Sequence, residues 1–150
     1  MDPSPETTRI ITRKKLQYCR FADTNQWHLF DNIFLPDATF VFVDPHGAVI
    51  NEGGVNYSFS SAEEFTAHFR EAFKKIQSIH LVGPGELEQT SPDEVKAIWG
   101  VIYHAGTKGT EDGSQGTGGG HYHETWKRKG DDWFLQTLRM ERLYWKTLGS

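Results

Sequence analysis

Apolar side chains recur at helical spacing from Ile10 to Ala22, through Ile11, Leu16, Tyr18 and Cys19, which predicts a moderately amphipathic helix ending near Ala22. Ser4 and Pro5 mark its start, as N-cap and first helical residue. After a break at Asp23-Thr24-Asn25, Trp27, Phe30, Ile33 and Phe34 return at three- and four-residue intervals. They predict a second, shorter helix that stops before Pro36. The run TFVFVD then reads as a strand, with a turn at Asp44-Pro45-His46-Gly47. AVINEGGVNYSF reads as a returning strand interrupted by a glycine pair. Ser61 and Glu64 form a capping box, and Phe65, Phe69, Ala72, Phe73 and Ile76 stripe a third helix behind it.

The second half is strand-like throughout. SIHLVG is short, and two runs flank a turn at Ser91-Pro92-Asp93. HYHETWKR and WFLQTLRMERLYW complete the set. Residues 105–120, glycine-rich and polar, predict a mobile hairpin connection and a candidate lid. Helices first and an antiparallel meander after them indicate an α+β fold, with about three helices packed on one face of a curved sheet to make a cone. The 150 residues suit one domain spanning 1–150.

Composition narrows the functional classes. A net charge of -4 disfavours nucleic acid and anionic membranes as partners. The short basic runs Arg13-Lys14-Lys15 and Lys127-Arg128-Lys129 read as solvated faces. One cysteine, Cys19, permits no internal disulfide and reads as a small core residue. No apolar run approaches the ~20 residues of a membrane span, and the polar start MDPSPETT is unlike a secretory signal. The expectation is a soluble, cytoplasmic protein.

Candidate chemistry centres on histidine. In KAIWGVIYHAG, His104 shares a face with Ile98, Gly100 and Ile102. If 105–120 is a hairpin loop, His104 pairs near His121, and His104, His121, His123 and Thr125 share one surface, with His80 joining from a neighbouring strand. His28, His46 and His68 read as surface residues. The pair His121-x-His123 has metal-ligand spacing, but the positions where a cupin-type site would need a carboxylate hold Lys127 and Arg128. No metal ligand and no cofactor are therefore assigned. Asp23, between two amphipathic helices, either caps the second helix or points into the cone. In the second case it would orient a histidine and make it a general base near neutral pH.

The stretches QYCRFADTNQWHLFDNIFLPDATF, SIHLVGPGELE and HYHETWKRKGDDWFL resemble SnoaL-like proteins of the cone-shaped nuclear-transport-factor-2 superfamily, nearest to scytalone dehydratase and bile acid 7α-dehydratase. The resemblance implies a cofactor-free acid–base enzyme of specialised metabolism. Dehydration of a polyketide- or terpenoid-like substrate leads, with a cyclase or isomerase (pericyclic ring closure included) or a noncatalytic small-molecule binder as alternatives. It places Asp23, His80, His104 and Tyr18 in catalytic positions. His121, His123, Phe42, Trp27, Phe65 and Phe69 become the lining for an apolar or polycyclic small molecule. The water-holding tyrosines of scytalone dehydratase appear here as Ala22 and Phe42. A homodimer or homotrimer is implied, with Tyr122 and Trp126 on the outward interface.

Overall fold

The computed structural model describes residues 1–149. Helix α1 (Pro5–Asp23) starts where Ser4 Oγ accepts the Thr7 amide, 3.1 Å away. It ends in a Schellman motif: the Gln26 amide reaches back to Phe21 O at 2.7 Å, and the Asn25 amide to Ala22 O at 3.3 Å. Asn25 takes the left-handed conformation this requires, with φ 57°. The break at residues 23–25 is thus a designed helix stop, and Asp23 is the last helical residue.

A 3-10 helix (Trp27–Asn32) follows, then β1 (Phe34–Val43) and the short strands β2 (Asn51–Glu52), β3 (Val55–Asn56) and β4 (Ser58–Phe59). Helix α2 (Ala62–Ala72) precedes β5 (Ile76–Val82), β6 (Glu86–Ser91), β7 (Glu94–Thr107), β8 (Gln115–Lys129) and β9 (Asp132–Leu148). At the start of α2, Ser61 Oγ accepts the Glu64 amide at 3.0 Å. Glu64 returns its carboxylate to the Ser60 amide at 2.8 Å, one residue earlier than a standard capping box.

The main sheet runs β4-β1-β9-β8-β7-β5, with β6 also paired to β7. It is mixed rather than an antiparallel meander, because β1 lies parallel to β9 while the other pairings are antiparallel. The segment expected as a 105–120 loop is mostly strand: only residues 108–114 connect β7 to β8. The glycines at 116, 118, 119 and 120 are in the sheet.

One face of the sheet is sealed by the helices. Val95, Ala97, Trp99 and Val101 of β7, Tyr122, Glu124 and Trp126 of β8, and Leu135, Leu138 and Met140 of β9 all point inward and are buried. They pack with Ile11, Tyr18 and Cys19 of α1 and with Phe30 and Phe65. Tyr122 and Trp126, expected outward, are 3% and 0% exposed. Alternation along a strand then sends His121 and His123 out. The outer face carries a row of Leu81, Ile102, Gly119 and Tyr144 in direct register, its three side chains exposed.

The reading of Arg13-Lys14-Lys15 as a solvated face is also corrected. Lys15 is 0% exposed and its ammonium lies 2.5 Å from Glu124 Oε2, inside the core. Glu124 Oε1 accepts both indole N–H groups, Trp99 at 2.7 Å and Trp126 at 3.0 Å. Lys14 reaches the Trp133 carbonyl at 2.6 Å and Asp132 at 3.0 Å. Both lysines fasten α1 to the sheet.

Candidate active site

Asp23 does not cap the second helix. Its carboxylate crosses to β5, where Oδ1 accepts the Ser78 hydroxyl at 2.9 Å and Oδ2 accepts the His80 amide at 2.8 Å. Oδ1 also lies 2.6 Å from His80 Nδ1. Ser78 and His80 share a face of β5 because they are two residues apart, so one carboxylate reaches both. The pair is largely withdrawn from water, at 9% exposure for the Asp23 side chain and 14% for His80. With the carboxylate ionised, Nδ1 donates to it and the lone pair falls on Nε2. Among the described residues no protein group partners Nε2, nor is it sealed in as a buried unpaired atom.

His80 opens a row that crosses four strands on the inner face. It pairs with Tyr103, Tyr103 with Gly118, and Gly118 with Trp145. The His80 and Tyr103 rings stack with centroids 5.5 Å apart, and Tyr103 and Trp145 lie 5.9 Å apart. They can approach because Gly118 leaves the position between them vacant. A Cβ there would fall 2.8 Å from the Tyr103 ring and hydroxyl and 2.9 Å from the Trp145 ring. The glycine run therefore lays an aromatic shelf beside the dyad.

Arg142 joins this face through a β-bulge. The register between β8 and β9 shifts between Gly119 and Gly120, leaving Leu143 without an opposite residue. In a regular strand Arg142 and Trp145, three apart, would face opposite sides. The bulge turns both inward, with the guanidinium carbon 5.1 Å from the Trp145 ring centroid. Burial raises the pKa of the Tyr103 hydroxyl, and the neighbouring Arg142 opposes that rise. Burial pushes Tyr57 up to about 12, so it stays a protonated donor at neutral pH. His68, expected on the surface, packs against Tyr57, Phe59 and Phe69, and burial lowers its pKa. His68 Nε2 and Arg142 Nε are buried without hydrogen-bond partners.

The other sequence-predicted residues separate into two groups. Tyr18 is buried in the core, edge-on to Tyr122 at 5.7 Å and with the Lys15 ammonium 3.9 Å from its ring centroid. Burial raises its pKa well above the ordinary tyrosine range. Trp27, Phe65 and Phe69 are core residues, and Phe42 is partly buried against Phe65 and Phe69. His104, His121 and His123 lie on the outer face, opposite to His80, so the expected four-histidine surface does not form. The register is the reason: His104 pairs with Thr117 and His121 with Gly100, while His80 shares the inward side of Tyr103. His104 borders an outer recess of about 370 Å³ beside the 108–114 connection. His123 Nε2 meets Glu141 Oε1 at 2.9 Å, with Arg139 on the second oxygen at 3.0 Å. His28 and His46 are exposed, as read from sequence.

Ser78, Tyr103, Arg142 and Trp145 were missed. Ser78 was signalled by its two-residue spacing from His80, and Tyr103 by its place on the Trp99 and Val101 face. Arg142 and Trp145 carried no such signal, since the bulge that aligns them leaves no mark in the residue pattern.

The sequence model described as "SnoaL-like domain" matches residues 5–139. The protein described as "Probable cyclase FGR4", from Gibberella zeae, is 61% identical over 148 residues, covering 99% of each chain. Among solved structures, one from Novosphingobium aromaticivorans assigned as a scytalone dehydratase superposes with a TM-score of 0.75 at 13% identity, over 92% of this chain and 85% of that one. A nuclear transport factor 2-like superfamily protein from Salmonella enterica gives 0.72 at 12% identity, over 95% and 94%. At these identities the structural matches establish the fold.

Proposed function

This chain belongs to the SnoaL-like domain family, and we propose that it is a cofactor-free cyclase that closes a ring by moving one proton through the Asp23–His80 dyad. The observation that carries the reading is the 2.6 Å Asp23–His80 contact, with the same carboxylate fixed by Ser78 and the His80 amide. A carboxylate held by three donors cannot swing away, so it orients the imidazole and stabilises the imidazolium. The name of the 61% identical relative favours ring closure over the dehydration expected from sequence.

In this scheme His80 Nε2 takes a proton from a carbon beside a carbonyl, or from a hydroxyl. The electron pair released attacks an electrophilic carbon of the same molecule, forming the ring bond and displacing a π pair onto the acceptor's oxygen or conjugated chain. The imidazolium returns its proton there. Substrate and product are isomers, and His80 ends as it began. Dehydration would use the same first step but deliver the proton to a departing hydroxyl.

The test starts with deletion of the gene in its host and the mass of the compound that accumulates. A compound equal in mass to the mature intermediate is expected, and purified protein should convert it. Asp23→Asn and His80→Ala should each lower turnover by roughly 10²–10⁴-fold with the fold retained. Accumulation of a compound heavier by one water makes the enzyme a dehydratase. Full turnover by either variant removes the dyad from the chemistry.

A further inference from the structure

Arg142 is the charged group on this face that the dyad does not use. It is placed there by a bulge, held over Trp145, and left with a buried Nε that has no acceptor. It takes part in no ion pair among the described residues. Asp44 feels its charge only at longer range, and Glu52 acts on the same Tyr57 and Tyr103 hydroxyls that Arg142 does. A guanidinium whose only close polar neighbour is the Tyr103 hydroxyl, with one buried donor left unpaired and no carboxylate beside it, is costly to keep in the free protein, and an anion meeting its other N–H groups would offset that cost.

We infer that Arg142 is the anion-binding residue of this inner face, and that it grips a planar, resonance-stabilised oxyanion of the substrate whose conjugated plane packs against the Tyr103–Trp145 shelf. The inference rests on the reading of this face as the ring-closing site and names its substrate class. A guanidinium presents paired N–H donors in one plane, which matches the two oxygens of a carboxylate or of an enolised β-dicarbonyl. The neighbouring rings form a stack that a planar conjugated system can extend: the His80 and Tyr103 planes lie 26° apart and those of Tyr103 and Trp145 31° apart. Anchoring the anion at the Arg142 end presents the attached carbon framework to His80 at the other. An acidic substrate would thus be fixed in register without using the base.

Calorimetric titration with two matched probe pairs tests this without the natural substrate. 2-Naphthoate against 2-naphthamide reads carboxylate recognition, and 4-hydroxycoumarin against 4-methoxycoumarin reads the enolised dicarbonyl. The wild-type protein should bind at least one anion about tenfold or more tightly than its neutral partner. Which pair shows the preference identifies the source of the oxyanion. Arg142→Gln should erase the preference while leaving the neutral probe within about twofold, and Arg142→Lys should keep part of it. Asp23→Asn should retain it in full, which separates this inference from the dyad: loss of turnover in that variant with no anion preference in the wild type leaves the dyad standing and sinks the Arg142 assignment. Equal affinity for both members of each pair, failure of both anions to bind, or a preference that survives Arg142→Gln overturns it.

Discussion

Removing both partners of the Lys15–Glu124 pair should destabilise the protein no more than removing either one alone. Both side chains are fully buried, with Nζ 2.5 Å from Oε2 and 3.4 Å from the centre of the Tyr122 ring. Lys15→Met leaves an uncompensated buried carboxylate, at about 3–5 kcal/mol. Glu124→Gln leaves the ammonium but keeps an oxygen for the Trp99 and Trp126 indoles, so its cost is similar, about 3–5 kcal/mol. Glu124→Leu also orphans the two indole donors at about 1–3 kcal/mol each, for a total of about 5–11 kcal/mol, which approaches the whole stability of an ordinary domain. The double variant Lys15→Met with Glu124→Gln buries no charge and still serves both indoles. Additivity would predict about 6–10 kcal/mol of loss for it; we expect a loss no larger than that of either single variant, a coupling of at least about 3 kcal/mol. Urea unfolding, with midpoints and slopes compared across the wild type, Lys15→Met, Glu124→Gln and the double variant, measures this directly. An additive double variant, or a Lys15→Met cost under about 1 kcal/mol, would falsify the pairing as the element that fastens α1.

Three further outcomes follow from the geometry. Gly118→Val should cost about 1–3 kcal/mol by overpacking and should reduce turnover, because its branched side chain must displace Tyr103 or Trp145; unchanged turnover would remove the shelf from the active site. His68 has its pKa lowered below the ordinary 6.5 by burial, so the unfolded chain binds the proton first as acid is added. Its contribution is full above pH 6.5 and is lost as pH falls through the folded value, and His68→Phe should shrink the drop in urea midpoint between pH 7.5 and 5.5. Cys19, with its thiol pushed up to about 11 by burial, should resist iodoacetamide at pH 8 in the folded protein and react only on unfolding. Rapid labelling without loss of circular dichroism would contradict that burial.

Helix positions were legible because their caps are local. Ser4, Pro5, Ser61 and Glu64 act within four residues of themselves, and α1 and α2 begin where those residues predict. Sheet facing was not, because it depends on which of two alternating sets is judged to be inside. In HYHETWKR the histidines alternate with Tyr122, Glu124 and Trp126, and grouping His121 and His123 with His104 and His80 on one inner surface turned the second set outward. The missing fact was Lys15. It lies on the α1 stripe of Ile11, Tyr18 and Cys19, four residues from the first and three and four from the others, and so points at the sheet. A buried lysine needs a buried carboxylate. Glu124, between two large aromatics, supplies it, and that pairing fixes which face of β8 is inward.

The same pair has a consequence for the candidate site. Lys15 and Asp23 are eight residues apart on one helix, about 12 Å along its axis. Lys14 and Lys15 fix the middle of α1 to β8 and β9, while Asp23 fixes its end to β5. The rotation of α1 about its axis is therefore set at both levels, and that rotation decides whether the Asp23 carboxylate meets Ser78 and His80 or turns to solvent. A salt bridge that adds little net stability over an apolar pair can still be retained if it fixes an orientation. The double variant separates these roles: stability near that of either single variant with weakened turnover would assign the buried pair to placing Asp23, whereas unchanged turnover would leave it only a fastening of the core.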